Sequence, residues 1–350
     1  MAGRVFDVLV VGAGQAGLAM AHHLQKADAA FLLLEAAPRV GESWRARWDS
    51  LTLFTPLPFA SLPGLDYPPG TPRLPDKDTV ANYLQAYAAH HDFPLRLTSR
   101  VVRLTHADRT FEARLADGAS LRARKVVVAA GPYSAPAVPA LAAGLGAGVR
   151  QLHSADYRSP SDVPPGEVLI VGAANTGAQL AVELHRAGRR VTLSASTPPW
   201  FLPTSVLGVG LYPLLRATRL LRARTDGRAH SYLQRRGDAI VGTELKPLLA
   251  SGAVRLRPRA TSATDTTVSF VDGTSTHVTT VLWATGYRPS LGWVDVPGSV
   301  DASGHPIHRH GHSPVPGLFW LGLPWQYRMD SGIIHGADPE ARRLLPAVVS

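Results

Sequence analysis

Apolar and polar positions follow one pattern that occurs twice in the chain, 160 positions apart. In the first copy, the apolar run at 8–11 predicts a buried strand, and helical spacing over 18–26 predicts the helix after it. Residues 31–34 predict the next strand. In the second copy, the matching strand, helix and strand are residues 167–171, 179–186 and 190–193. The repeat predicts two Rossmann-like α/β domains, each built on a parallel sheet.

A glycine-rich turn joins strand to helix in the first copy, which reads VGAGQAGLAM. Gly12 permits the tight turn, Gly14 lets the backbone approach a pyrophosphate, and Gly17 lets the helix pack against the strand. Glu35 ends the second strand, where a carboxylate accepts hydrogen bonds from a ribose diol. We predict an FAD site comprising Gly12, Gly14, Gln15, Ala16, Gly17 and Glu35.

The second copy, VGAANTGAQL, lacks two of these residues. Ala174 stands in the place of Gly14 and adds a methyl group where the pyrophosphate approaches. Ala195 stands in the place of Glu35, so nothing there repels a 2′-phosphate, which favours NADPH. NADH or dual use stays open, as does a degenerate site that binds neither nucleotide well. The predicted site comprises Gly172, Ala174, Asn175, Thr176, Gly177, Arg190, Ser194 and Ser196.

Two nucleotide sites in one chain imply two cofactors with hydride transfer between them, because the flavin supplies the redox chemistry and the protein supplies position. The 350 residues include no cysteine. Disulfides, zinc–thiolate sites, cysteine nucleophiles and disulfide reduction through a cysteine pair are therefore excluded. We predict no metal site.

The net charge of +10 matches an arginine-rich chain with phosphate-bearing ligands, and we expect no nucleic-acid partner. The N-terminal apolar run is interpreted as a strand rather than a signal peptide, and we expect a cytoplasmic protein. A basic amphipathic stretch at 211–236 predicts a surface helix near the substrate entrance rather than membrane contact. Both monomer and homodimer stay open.

Four further stretches carry a resemblance to a known family. They are PRVGESWRARWDSLTLFTPLPFASLPGL, RQLHSADYRS, VTTVLWATGYRPSLGW and GLFWLGLPWQYRMDSGIIHGADPEARRLL. With them nearly the whole chain resembles the flavin-containing monooxygenases that use FAD and NAD(P)H, in particular the short bacterial branch similar to plant YUCCA enzymes.

The resemblance implies roles for particular residues. The segment around Trp44 is expected along the flavin, and the ATGY stretch and the strand ending at Gly131 are expected at the crossings between domains. His153 and Tyr157 match the end of the fingerprint FxGxxxHxxxY, although Ala147 and Val149 replace its Phe and its Gly. His153 is interpreted as a hinge residue or as a nucleotide contact. The implied FAD contacts are Gly41, Trp44, Arg45, Val102, Ala130, Gly131 and Gln326, and the implied NADPH contacts are Ala284, Thr285 and Gly286.

The implied activity is oxygenation of a nitrogen, a sulfur or a carbonyl-adjacent carbon of a small molecule by a flavin C4a-hydroperoxide formed with NADPH and O2. Larger members hold an Asn near the flavin, which residues 53–56 lack, so we name no catalytic side chain. One alternative is a flavin reductase or oxidase that releases H2O2. The other is a nucleotide-binding protein whose second site has decayed.

Each copy is also predicted to carry a β-ribbon. Asp117–Gly118 turns a meander within 100–128, and Asp272–Gly273 turns a ribbon within 267–280. The Pro-rich stretch 159–166 is interpreted as the linker. We predict an FAD domain at 1–160, an inserted NAD(P)H domain at 161–286, and a return to the FAD domain at 287–350.

Overall fold

Two β-sheets, one in each repeated unit, form the framework of the chain. The structure is a computed structural model that describes residues 5–57, 59–206, 209–227, 230, 236–237 and 239–350. The strands are β1 (Val5–Val11), β2 (Phe31–Leu34), β3 (Leu95–Arg96), β4 (Val101–Ala107), β5 (Thr110–Leu115), β6 (Ser120–Val128), β7 (Ala135–Pro136), β8 (Arg150–His153), β9 (Glu167–Val171), β10 (Arg190–Ser194), β11 (Phe201–Leu202), β12 (Ser205–Val206), β13 (Val209–Gly210), β14 (Ile240–Val241), β15 (Val254–Arg257), β16 (Ala260–Thr264), β17 (Thr267–Phe270), β18 (Ser275–His277), β19 (Thr280–Trp283), β20 (Tyr287–Arg288) and β21 (Leu318–Trp320). The helices are α1 (Gln15–Lys26), α2 (Glu42–Arg45), α3 (Lys77–His90), α4 (Asn175–Arg186), α5 (Leu211–Ala217), α6 (Leu245–Ala250) and α7 (Ile334–Val349).

The first sheet has the order β3-β2-β1-β6-β5-β4, and β21 pairs with the C-terminal end of β6, at Val126–Val128. β1, β2, β3, β6 and β21 are parallel, whereas β4, β5 and β6 form the predicted antiparallel meander. The second sheet is wholly parallel in the order β15-β10-β9-β19-β8, and β16, β17 and β18 form its antiparallel ribbon. The predicted fold class is confirmed.

The buried strands explain why their sequences are apolar throughout. In β1, Val8 and Val10 pack into the cluster that contains α1, while Leu9 packs into the cluster on the opposite face. In β9, Val168 and Leu169 divide between two clusters in the same way. Because successive side chains of a strand point to opposite faces, a strand covered on both faces needs apolar residues at every position.

The crossing between the units corrects the predicted domain boundary. β7 on the outgoing chain pairs antiparallel with β20 on the returning chain. β8, which lies before residue 160, already belongs to the second sheet through its pairing with β19. The second unit therefore begins soon after β7, and the Pro-rich stretch 159–166 is a turn within it rather than the linker.

The basic stretch 211–236 is less helical than predicted. α5 ends at Ala217, and a short 3-10 turn spans Leu220–Arg222. Tyr212 packs against Phe59 of the first unit at a ring-centroid distance of 5.5 Å. The apolar face of α5 is thus covered by protein. Positions 228–229 and 231–235 of this stretch lie outside the described residues. In the part of the chain that is described, no helix has the length and apolar character to cross a membrane.

A buried cluster of histidines lies where α1 and α3 meet. The ring of His22 lies 4.9 Å from that of His91 and 5.4 Å from that of His23, measured between centroids. His22 is only 3% exposed. Burial, followed by the positive charge of Lys26, lowers the pKa of His22 to about 4. The fold therefore holds this imidazole neutral.

We expect His22 to make the protein acid-sensitive. Its pKa is lower folded than unfolded, so the unfolded state binds more protons and stability falls as pH drops below about 6.5. At about pH 5 the loss from His22 alone is on the order of 2 kcal/mol. Urea unfolding at pH 7.5 and pH 5 should show that His22→Gln loses about this much less stability than the parent. Equal losses in both proteins would contradict this assignment.

Candidate nucleotide-binding sites

The first glycine turn brings β1, α1 and the end of β6 so close together that two of its glycines have no room for a side chain. Gly12 has a φ of +106°, and a Cβ there would lie 2.5 Å from the carbonyl oxygen of Ala129. A Cβ on Gly17 would overlap the carbonyl oxygen of Gly12. The fold requires both glycines, whether or not a ligand is bound.

Gly14 differs, because its missing side chain leaves open space. Its backbone is extended, with φ −74° and ψ −175°, a conformation that any residue adopts. Among the described residues, no atom would lie within 4 Å of a Cβ at this position. Gly14 is also the N-cap residue of α1. It has no side chain to cap the free N–H groups in the first turn of this helix, which starts with Gln15 and Ala16. This arrangement fits a pyrophosphate.

Glu35 directly follows β2 beside this turn, and backbone N–H groups orient its carboxylate. Oε2 accepts a hydrogen bond from the N–H of Ala13 at 2.9 Å, and Oε1 accepts one from the N–H of Ala37 at 2.9 Å. Each oxygen keeps a lone pair for a ribose hydroxyl. Val102 is the extra residue of a β-bulge in β4 and is 42% exposed, so it is open to a ligand.

The segment predicted to lie along the flavin is fastened to α3. Gly41 has a φ of +88°, and a Cβ there would lie 2.6 Å from the carbonyl oxygen of Ala81. The Arg45 guanidinium donates to Asn82 at 3.0 Å and to Gln85 at 2.8 Å, both on α3. Arg45 therefore holds α2 in place. The half-buried Trp44 packs against the first core. Flavin contacts by Trp44 and Arg45 stay predictions.

The chain returns to the first turn at β21. Ala130 and Gly131 are exposed after β6, and Ala130 lies beside Gly12. Gly322, which our sequence reasoning missed, lies against Ala16 at the start of α1 and has a φ of +83°. The sequence GLFWLGL at 317–323 shows the pattern that could have predicted it, an apolar strand followed by a glycine. Gln326 is 2% exposed and donates to Glu340 at 3.5 Å, so the structure does not support a flavin contact by its side chain.

The second turn reproduces the backbone of the first. Gly172 also has a φ of +106°, and a Cβ on Gly177 would overlap the carbonyl oxygen of Gly172. Ala174 has φ −77° and ψ −173°, within a few degrees of Gly14. Alanine therefore causes no backbone strain at this position. Its exposed methyl group occupies space that the first turn leaves open.

Two of the predicted NADPH contacts have hydrogen-bond partners within the protein. The Asn175 side chain donates to the carbonyl oxygen of Ala239 at 2.9 Å and accepts from the N–H of Val241 at 2.8 Å, which ties α4 to β14. The buried Ser194 hydroxyl donates to the carbonyl oxygen of Pro258 at 2.8 Å. Thr176 is half-buried at the start of α4. Of the two serine hydroxyls predicted as NADPH contacts, that of Ser194 therefore already donates its hydrogen bond within the protein.

The predicted NADPH contact of Arg190 is corrected by the structure, because Arg190 lies at the opposite edge of the sheet from the nucleotide site. It begins β10, where its guanidinium pairs with Glu167 at the start of β9. Ligands bind at the carboxyl ends of parallel strands, which is the opposite edge. At the carboxyl edge, Ser196 is exposed, and Arg257 of β15 lies directly beside Ser194. Arg257 was missed because pairing rather than sequence brings it there.

The crossing residues have a defined hydrogen-bond pattern. The carbonyl oxygen of Gly286 accepts from Nε2–H of His153 at 3.0 Å, and Nδ1 accepts from the N–H of Ala155 at 3.0 Å. His153 is therefore neutral, and burial lowers its pKa below the usual value for histidine. Because both ring nitrogens already have partners within the protein, the hinge interpretation of His153 is favoured over a nucleotide contact and stays a prediction. At the crossing, the Thr285 hydroxyl donates to the carbonyl oxygen of Ala137. Ala284 lies between Thr285 and the end of β19.

Tyr157 belongs to the core of the second unit. It is fully buried, and its hydroxyl donates to Glu183 of α4 at 2.9 Å. Burial, together with that carboxylate, raises the pKa of Tyr157. Its role in this structure is to hold the start of the second unit against α4.

Comparison with known proteins agrees with this geometry. A protein-family model described as pyridine nucleotide-disulphide oxidoreductase matches residues 9–236, more than half of the chain. The chain belongs to this family. Because it has no cysteine, this member has no thiol pair of its own for disulphide chemistry.

Individual members sharpen the assignment. The chain is 38% identical to an uncharacterized CzcO-like oxidoreductase of Geobacillus kaustophilus over 99% of both chains. It is 28% identical to the indole-3-pyruvate monooxygenase YUCCA1 of Oryza sativa subsp. japonica, over 88% of this chain and 82% of that one. A flavin-containing monooxygenase from Stenotrophomonas maltophilia superposes with a TM-score of 0.83 at 26% identity and 98% coverage of each chain. The predicted resemblance is confirmed, and this family member is a flavin-dependent NAD(P)H oxidoreductase of the monooxygenase type.

A pair of substitutions separates the two kinds of glycine in the first turn. Gly17→Ala should unfold or greatly destabilise the protein, by about 3 kcal/mol or more, because backbone cannot yield to the new methyl group. Gly14→Ala should fold normally but bind FAD about tenfold more weakly, a difference of about 1.4 kcal/mol. Thermal midpoints and flavin content of the purified proteins measure both. Equal flavin retention by Gly14→Ala and the parent would remove Gly14 from the FAD site.

Proposed function

We propose that this protein is an FAD-dependent monooxygenase that uses NADPH and O2 to oxygenate a small molecule. The observation that carries the proposal is the pair of glycine turns with the same backbone, each at the carboxyl ends of the parallel strands of its own sheet. Two nucleotide sites pass electrons from a nicotinamide to a flavin. Because the chain holds no cysteine, those electrons have no thiol acceptor within it, which favours O2.

The residues of the first unit fit FAD. The open space at Gly14 and the N–H groups at the start of α1 would hold the pyrophosphate, and Glu35 would accept from the ribose. Bound FAD supplies hydride acceptance and reaction with oxygen. The protein's own contribution is to position the flavin and to exclude water from it.

NADPH is the proposed donor because of the residues at the carboxyl end of β10. Ala195 offers no carboxylate to repel a 2′-phosphate. The exposed Ser196 supplies a hydroxyl, and Arg257 adds positive charge on the neighbouring strand. In each unit, therefore, the residue after the second strand fits a different nucleotide.

The region where the second unit covers the first is proposed as the substrate side. Tyr212 of α5 is buried against Phe59, and its hydroxyl bonds to that of Thr55 at 2.8 Å. Leu221 completes this apolar cluster. The covered surface would keep water away from the reacting flavin.

An anaerobic stopped-flow measurement tests the proposal. The FAD-loaded protein is mixed with NADPH and separately with NADH, and bleaching of the visible flavin band is followed. We expect NADPH to bleach the flavin at lower concentration. Admitting oxygen with a thioether, a tertiary amine or indole-3-pyruvate, the acid in the name of the rice relative, should then yield an oxygenated product. No bleaching with either donor would contradict the proposal, and H2O2 as sole product would favour the oxidase alternative.

Ala174→Gly tests the second turn. Removing the methyl group lets the backbone approach the pyrophosphate, so the KM for NADPH should fall about fivefold, a gain on the order of 1 kcal/mol. Glycine is accepted at an N-cap, so the helix should be unaffected. Ala187→Gly, at the other end of α4, is the matched control and should leave KM unchanged. An unchanged KM in Ala174→Gly would mean that this methyl group does not face the nucleotide.

A further inference from the structure

One segment of the first unit enters the core of the second. Trp48, which lies just after α2, is 6% exposed and packs among buried residues of the second unit that include Tyr157, Val163 and Leu180. Leu51 packs against the same cluster. A residue that precedes the second unit by about a hundred positions is thus part of its hydrophobic core.

The neighbours of Trp48 reinforce this attachment. The N–H of Asp49 donates to the carbonyl oxygen of Arg158 at 2.8 Å. The guanidinium of Arg47 donates to the Tyr287 hydroxyl at 2.5 Å and lies 5.2 Å from the centre of that ring. It also lies 5.7 Å from the ring of Tyr133 on the outgoing chain. Arg47 therefore bonds to the returning chain while it packs against the outgoing one.

The other end of the segment is fixed to the first unit. The N–H of Leu53 donates to the carbonyl oxygen of Pro75 at 2.9 Å, and the N–H of Lys77 donates to that of Leu51 at 3.0 Å. Arg45 holds the start of the segment against α3. Residues 47–51 consequently connect the two cores, in addition to the two-residue strands β7 and β20 and to the contact of Tyr212 with Phe59. The short strands of the crossing by themselves would leave the units free to rotate.

We propose that Trp48 is a positioning residue that fixes the second nucleotide unit in one orientation against the first. This inference rests on the proposed function, because it concerns where the nicotinamide is delivered. With Trp48 in the core of the second unit and its chain neighbours bonded to the first, the donor reaches the flavin without a large rotation of one unit on the other. The geometry of hydride transfer then depends on a side chain that touches neither nucleotide.

A distance measurement tests the orientation directly. Because the chain has no cysteine, Ser120→Cys in β6 and Ser275→Cys in β18, both exposed, give two unique spin-label sites, one in each unit. Double electron–electron resonance on the FAD-loaded protein should give one narrow distance that NADP+ does not shift. Adding Trp48→Ala should broaden or split the distribution, whereas Trp48→Phe should preserve it.

Leu180→Ala is the matched control, because Leu180 is fully buried in the same core but belongs to the second unit. It should lower the thermal midpoint and keep the narrow distance. In Trp48→Ala, the limiting rate of flavin reduction should fall at least tenfold at saturating NADPH, with little change in the concentration for half-saturation.

Two outcomes would overturn the inference: a narrow, unshifted distance in Trp48→Ala, or a parent distance that moves when NADP+ is added. If the parent flavin is not reduced by either nucleotide, the proposed function fails, but the distance measurement still decides the role of Trp48.

Discussion

The structure depends on how closely a helix can approach a strand. At Gly17 and again at Gly177, the helix lies so near the preceding turn that a Cβ would overlap a backbone carbonyl oxygen. This contact fixes where α1 and α4 begin, and therefore where their N–H groups point. Gly12 and Gly172 have the same φ, and each packs against the backbone that follows a neighbouring strand, at Ala129 after β6 and at Ala284 after β19. The places at which we propose that the two nucleotides bind follow from these four glycines.

The two turns differ only in residues that do not disturb the backbone. Ala174 adopts the conformation of Gly14, and Ala195 directly follows β10, where its N–H still bonds to Arg257 of β15. The substitutions change the chemistry offered to a ligand while they leave its cradle in place. One fold can therefore serve two nucleotides, because the residues that shape the turn are not the residues that distinguish the ligands.

Local patterns predicted the local features well. The turns, the ribbons and the apolar strands depend on residues a few positions apart, and the sequence shows those spacings. Features that depend on pairing between distant segments were missed or misplaced. Arg190 was assigned by its nearness to Ser194 along the chain, although the length of β10 separates them in space, and the domain boundary was placed at a Pro-rich stretch although β8 had already joined the second sheet. Trp48 gave no local sign that its side chain enters another core.

The pairing of β21 with β6 has a consequence for how the protein is made. The second unit is continuous in sequence between β7 and β20, so it can complete its sheet as soon as those residues leave the ribosome. The first unit begins earlier but needs β21, and α7 to cover α1, both from the end of the chain. During synthesis the inserted unit is therefore completed before the one that surrounds it. Until then the first sheet lacks β21, and the part of α1 that α7 covers stays exposed.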